Sequence, residues 1–209
     1  MTKPAWLHEL NSQQHDVVVS SLGNHLVLAG AGSGKTRVLV SRMAFLMSHL
    51  QLPAHALLAV TFTNKAAAEM KSRLQNMQNG TLNGLWVGTF HGICHRLLCL
   101  HHKQAGLPEH FHILDSDDQQ RMIKRVMGGL NLDLEQWPVK QAQAFINKHK
   151  DDGARPHHLP VTTFGAQKTW VNVYTAYEKA CQSAGVVDFA EILLRTHEML
   201  RDNAELLAH

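Results

Sequence analysis

Apolar positions in the first half of the chain come in short runs, each followed by a segment with helical spacing. His25 to Ala29 is an apolar run closed by glycines, and Lys35 to Leu50 then places Val38, Met43, Leu46 and Leu50 on one helical face. Ala56 to Phe62 is a second run, with Asn64 expected to cap a helix over Lys65 to Met77. The turn signals Asn79-Gly80 and Asn83-Gly84 lead into a third run, Leu85 to Phe90, and Gly92 to Ala105 again reads as helix. Three strand-helix pairs in succession predict an α/β fold with a parallel, doubly wound sheet and helices on both faces.

After Gly106 and Pro108 the pattern becomes helical throughout. Ser116 with Gln119 reads as a capping box, opening a helix that Gly128-Gly129 should end. Pro138 suits the first turn of a helix over Val139 to Lys150. Trp170, Val173, Tyr174 and Tyr177 form a core stripe on a helix over Gln167 to Ser183, and Asp188 is expected to cap a last helix through Leu200. An α/β portion followed by an all-helical portion predicts two domains that meet between Phe90 and Gly106.

With 209 residues, 44% hydrophobic and 18% charged, the chain can bury one sizeable core and a smaller second one. No stretch reaches the roughly 20 apolar residues of a membrane span, and the start, with Trp6, His8 and Glu9, lacks signal-peptide character. A cytoplasmic protein with no membrane partner is expected, and Cys94, Cys99 and Cys181 are expected as free thiols. The net charge of +3 hides an asymmetry. Between Asp16 and Glu109 the only acid is Glu69, while Lys35, Arg37, Arg42, Lys65, Lys71, Arg73, Arg96 and Lys103 fall in that interval. That half should be electropositive and suited to a polyanion.

Chemistry concentrates in Ala29-Gly30-Ala31-Gly32-Ser33-Gly34-Lys35-Thr36, a Walker A loop between an expected strand and an expected helix. Small residues let successive backbone N–H groups wrap a phosphate, and the helix N-terminus adds to the field. Lys35 would reach the β- and γ-phosphates of a nucleoside triphosphate, and Thr36 would place its hydroxyl on the accompanying Mg2+. Ala29 stands where the common pattern has glycine. An acid to hold the metal through water is harder to find: Glu69 is expected within a helix, Asp115 follows an apolar stretch but is explained by the Ser116 cap, and Asp188 follows a shorter one.

Several motifs together resemble the UvrD/Rep/PcrA-type DNA helicases of superfamily 1, over essentially the whole chain. Leu10-Asn11-Ser12-Gln13-Gln14 is similar to the family's Q motif, which implies that Gln14 reads the adenine edge, with Arg37 against the nucleotide. Ala59 to Ala67 is similar to a motif that touches single-stranded DNA, implying a stacking face from Phe62 and polar contacts from Thr63 and Asn64. Val87 to Gly92 is similar to another, with Thr89, Phe90 and His91 at the DNA.

The resemblance further implies a RecA-like subdomain 1A over residues 1–89. Residues 90–209 would hold the helical insertion 1B, Ile113 to Arg195, and the start of the return to 1A. It implies 3′-to-5′ translocation on single strands and at single-strand/duplex junctions, in repair or replication, with DNA repair proteins as partners. The family's Asp-Glu magnesium strand, its arginine finger and its second motor domain are expected beyond His209. Unwinding and DNA-stimulated ATP hydrolysis are accordingly not expected of these 209 residues alone.

Two other readings are weighed. A P-loop small-molecule kinase would need an acid near the loop and would ignore oligonucleotides; a non-catalytic DNA- or partner-binding fragment would not depend on Lys35. Among sixteen histidines, His91 and His95 lie one helical turn apart, but no Cys or Asp is seen to complete a metal set. Cys94 and Cys99 fall on different helix faces, and His101-His102 and His157-His158 are expected at the surface.

Overall fold

The computed structural model describes residues 4–78, 82–160 and 165–208, so the expected Asn79-Gly80 turn and His209 lie outside the described residues. The chain divides into two compact units, Met1–Ile93 and Cys94–His209. It is mixed α/β, mostly helical, with small parallel sheets. No described helix is long and apolar enough to cross a membrane.

In the first unit, α1 (Ala5–His8) and α2 (Ser12–Val19) precede α3 (Lys35–Ser48), β1 (Leu58–Thr61), α4 (Asn64–Met77) and β2 (Trp86–Thr89), after which α5 (Phe90–Leu100) begins. Strands β1 and β2 pair in parallel, Leu58 opposite Trp86 through Thr61 opposite Thr89, with α4 as the crossover. The core joins Val40, Met43 and Ala44 of α3 to Ala67, Met70 and Leu74 of α4 and to Ala59 and Val87 of the strands. Thr63 caps α4 by accepting from the Ala66 N–H at 3.2 Å, one residue before the expected Asn64. A hydroxyl with extended backbone geometry fills that role, and Asn64 enters the helix.

Of the expected parallel sheet, the described residues form the β1–β2 pair. His25 to Ala29 carries no strand, and Leu26 and Leu28 are 84% and 85% exposed. A strand is held by ladder hydrogen bonds to a neighbour. Among the described residues β1 and β2 pair with each other and no ladder reaches the run at 25–29.

The second unit is built on α6 (Ser116–Gly129), α7 (Val139–Asp151), α8 (Ala166–Ala184), α9 (Phe189–Asp202) and α10 (Ala204–Ala208). A two-residue parallel pair, β3 (His112–Ile113) and β4 (Val186–Val187), joins the segments before α6 and α9. Asp115 itself caps α6, taking the Asp118 N–H at 2.7 Å, which replaces the expected Ser116 box: a carboxylate one residue earlier is the stronger acceptor. The aromatic stripe is core as expected, with Val173, Tyr174 and Tyr177 fully buried.

The buried face of α7 runs Ala142, Ile146, Lys150, and the last of these is a charge. Its ammonium lies 2.8 Å from both Asp188 and Glu191. Asp188 also caps α9 through the Glu191 N–H at 2.7 Å and accepts from the Tyr177 hydroxyl at 2.8 Å. Arg155 pairs with Glu191, Glu178 and Glu198. Burial alone would raise the Glu191 carboxyl, but Lys150, Arg155 and Arg195 outweigh it and hold that group far below the usual carboxylate range. Burial opposes the charge on Lys150 too, and Glu191 and Asp188 reverse that, leaving the ammonium above its ordinary value.

Candidate nucleotide and nucleic-acid site

The glycine-rich loop opens directly into α3. Gly34 is the N-cap in the left-handed region, φ 88° and ψ 21°, and Gly32 also has positive φ, 75°. These values turn the chain sharply enough to bring main-chain amides to the N-terminus of a fourteen-residue helix. Around Gly30 and Gly32 nothing among the described residues lies within 4 Å of where a side chain would begin, so space above the loop is open. Ser33 closes it from within, its hydroxyl donating to the Gly30 carbonyl at 2.7 Å.

Lys35 lies back along the loop, its ammonium donating to the carbonyls of Ala29 at 2.9 Å and Gly30 at 2.6 Å. Thr36 is exposed in the first helical turn. Gln14 reaches the loop from nineteen residues away. Its side-chain N–H donates to the Ser33 carbonyl at 3.0 Å, and a side chain on Gly34 would start 2.9 Å from the same nitrogen. Gln14 is held by a reciprocal capping box with Asn11, which fixes the entry of α2. The loop and the Gln14 motif, separate in sequence, are therefore one structural element.

Arg37 turns to α1 and the segment after it, pairing with the Glu9 carboxylate at 3.5 Å. Arg42 was legible only as a basic residue. In the structure it donates to the carbonyls of Val18, Ser20 and Ser21, gathering the open end of α2 onto α3. Arg73 is paired with Glu69. Three of the cations counted toward a polyanion surface thus serve the fold.

The second group of candidates lies at the carboxyl ends of the two parallel strands, where α/β proteins present ligand-binding residues. Because Thr61 stands opposite Thr89, the next residues, Phe62 and Phe90, emerge side by side with ring centroids 6.3 Å apart and planes inclined by 48°. Phe62 is 90% exposed and Phe90 about half exposed. A large apolar side chain left in solvent at a strand end is not core, which separates these two from the buried aromatics of α8. Thr63 and Thr89 cap the helices that follow, each hydroxyl accepting a backbone N–H. Asn64 and His91 lie exposed in the first turns of α4 and α5.

Thr36, the residue expected from sequence to meet a magnesium ion, lies exposed at the loop. Among the acids considered from sequence, Glu69 is tied to Arg73, Asp115 caps α6, and Asp188 is buried against Lys150.

A glycine-rich turn carrying Gly34-Lys35-Thr36 into a helix, beside a parallel strand pair, defines a P-loop protein of the nucleotide-binding class. Residues 10–209 match the UvrD/REP helicase N-terminal domain, and the chain belongs to that family. It is similar to DNA helicase II of Escherichia coli, 52% identical over 203 residues that cover 97% of this chain and 28% of that protein. DNA helicase II of Haemophilus influenzae is 47% identical over 205 residues, 96% of this chain and 28% of that protein. ATP-dependent DNA helicase PcrA of Leuconostoc citreum is 35% identical over 201 residues, 95% of this chain and 27% of that protein. The chain thus spans little more than a quarter of the length of these relatives. The family match leaves no place for the small-molecule kinase alternative.

Proposed function

We propose that this chain supplies the ATP- and single-strand-engaging part of a DNA helicase or translocase, moving 3′ to 5′ and acting in repair or replication in the cytoplasm. Residues 1–89 are the RecA-like subdomain 1A, and 90–209 the helical subdomain 1B with the start of the return to 1A. The observation that carries the reading is the docking of Gln14 onto the open, positive-φ loop, together with two solvent-exposed phenylalanines at adjacent strand ends.

In this reading the amides of Gly30 to Thr36 hold the triphosphate. Lys35 exchanges its two loop carbonyls for the β- and γ-phosphate oxygens, a trade of neutral acceptors for charged ones that favours the bound state. Gln14, already fixed against the loop at Ser33, presents the rest of its amide to the base, and Arg37 flanks the nucleotide. Thr36 would hold Mg2+, which would neutralise phosphate charge when bound. Phe62 and Phe90 stack on bases, with Thr63, Asn64, Thr89 and His91 at the backbone; stacking tolerates any base, as movement over arbitrary sequence requires.

The test is paired binding on the 209-residue chain with labelled oligo(dT) and a fluorescent ATP analogue. Phe62→Ala removes a stacking platform worth about 1–3 kcal/mol, so oligonucleotide affinity should fall roughly 5- to 150-fold while nucleotide affinity holds. Lys35→Ala should do the converse. Undiminished oligo(dT) affinity in Phe62→Ala would rule the strand-binding surface out.

A further inference from the structure

Sequence left His95 without a thiol partner, yet Cys99 lies one turn further along α5, and its sulfur is 3.5 Å from His95 Nε2. Cys99 is exposed and His95 half-buried. The imidazole is set by an edge-on contact with Phe111, centroids 5.5 Å apart at 76°. Two ligating atoms therefore point to the same place, one on a ring whose orientation packing has fixed.

A zinc ion bound about 2.3 Å from a thiolate and about 2.0 Å from an imidazole nitrogen, at the tetrahedral angle, puts those atoms about 3.5 Å apart. A right angle at the metal would give about 3.0 Å and a linear arrangement about 4.3 Å with the same bond lengths. We propose that His95 and Cys99 form a two-point chelate for a borderline-soft divalent cation of the zinc type, with solvent in the remaining positions. The thiolate and imidazole donors select this class over magnesium or calcium, which take oxygen ligands. On binding, the Cys99 S–H bond breaks, sulfur and Nε2 each donate a lone pair to the metal, and the thiol proton leaves to solvent. Without metal the same contact is a thiol–imidazole hydrogen bond.

The other thiols do not compete. Cys94 is half-buried and burial raises its thiol, and burial pushes the Cys181 thiol up to about 11. Cd2+ titration of the 209-residue chain, followed by the cadmium–thiolate ultraviolet absorption, reads the site directly. Saturation at one ion with release of one proton is expected. Cys99→Ser should abolish the band, His95→Gln should weaken binding about tenfold or more, and Cys94→Ser should change nothing. In parallel, Zn2+ should slow alkylation of Cys99 by iodoacetamide about tenfold in the parent chain but not in His95→Gln. A band that survives Cys99→Ser, or affinity and protection indifferent to His95→Gln, would overturn the chelate; the second result would mark a lone thiol.

Discussion

Gly34 is under two separate constraints, and replacing it with alanine tests both. At φ 88° an L-residue costs roughly 1–2 kcal/mol relative to glycine. The new methyl would stand 2.9 Å from the Gln14 side-chain nitrogen, so that side chain must move and surrender its hydrogen bond to the Ser33 carbonyl, about 0.5–1.5 kcal/mol more. The sum is about 1.5–3.5 kcal/mol against the loop and the start of α3. Hydrogen-exchange mass spectrometry on peptides spanning 35–48 reads this locally, and the loss corresponds to roughly a 10- to 400-fold rise in opening. Gln14→Ala separates the terms: it already forfeits the hydrogen bond, so adding Gly34→Ala should cost only the φ strain and the double variant should lie about 1 kcal/mol short of additivity. Strict additivity, or a Gly34→Ala loop as protected as the parent, would show that Gln14 does not rest on the loop.

The buried ion network of the second unit makes it sensitive to acid. The Glu191 pKa is lower in the folded than in the unfolded chain, so its contribution is present above about pH 4.3 and disappears as pH falls toward the folded value; urea midpoints should decline steeply below about pH 4. Asp188→Ala leaves Lys150 with one carboxylate and removes the α9 cap, a loss of about 3–5 kcal/mol by urea denaturation. Ser41→Ala should be neutral or stabilise by about 1 kcal/mol, because the Ser41 hydroxyl is buried in α3 without a partner among the described residues; a loss of that size in thermal melts would contradict the assignment.

Local interactions were legible in the sequence because their partners are neighbours. The Walker loop entering α3, the Asp188 cap, the stripe of Val173, Tyr174 and Tyr177, and the helix starting near Asn64 each depend on residues within one or two turns. The caps placed one residue off, at Thr63 and Asp115, show the limit of that reading: neighbouring polar side chains compete, and backbone geometry selects among them.

Tertiary structure decided whatever needs a distant partner. The run at 25–29 has a strand's composition, yet a ladder requires a second backbone and among the described residues none meets it. Gln14 touches the loop only because α2 folds onto α3, an arrangement that Arg42 secures through three carbonyls. Phe62 and Phe90 are neighbours through strand register, and Lys150 can be charged inside the protein only because Asp188 and Glu191, 38 and 41 residues away, arrive beside it. Sequence thus determined which segments are helices and which residues have phosphate-binding chemistry, since helical hydrogen bonds and short motifs are local. Pairing, burial and the meeting of side chains remained to the fold, because their free energy exists only once remote segments share one space.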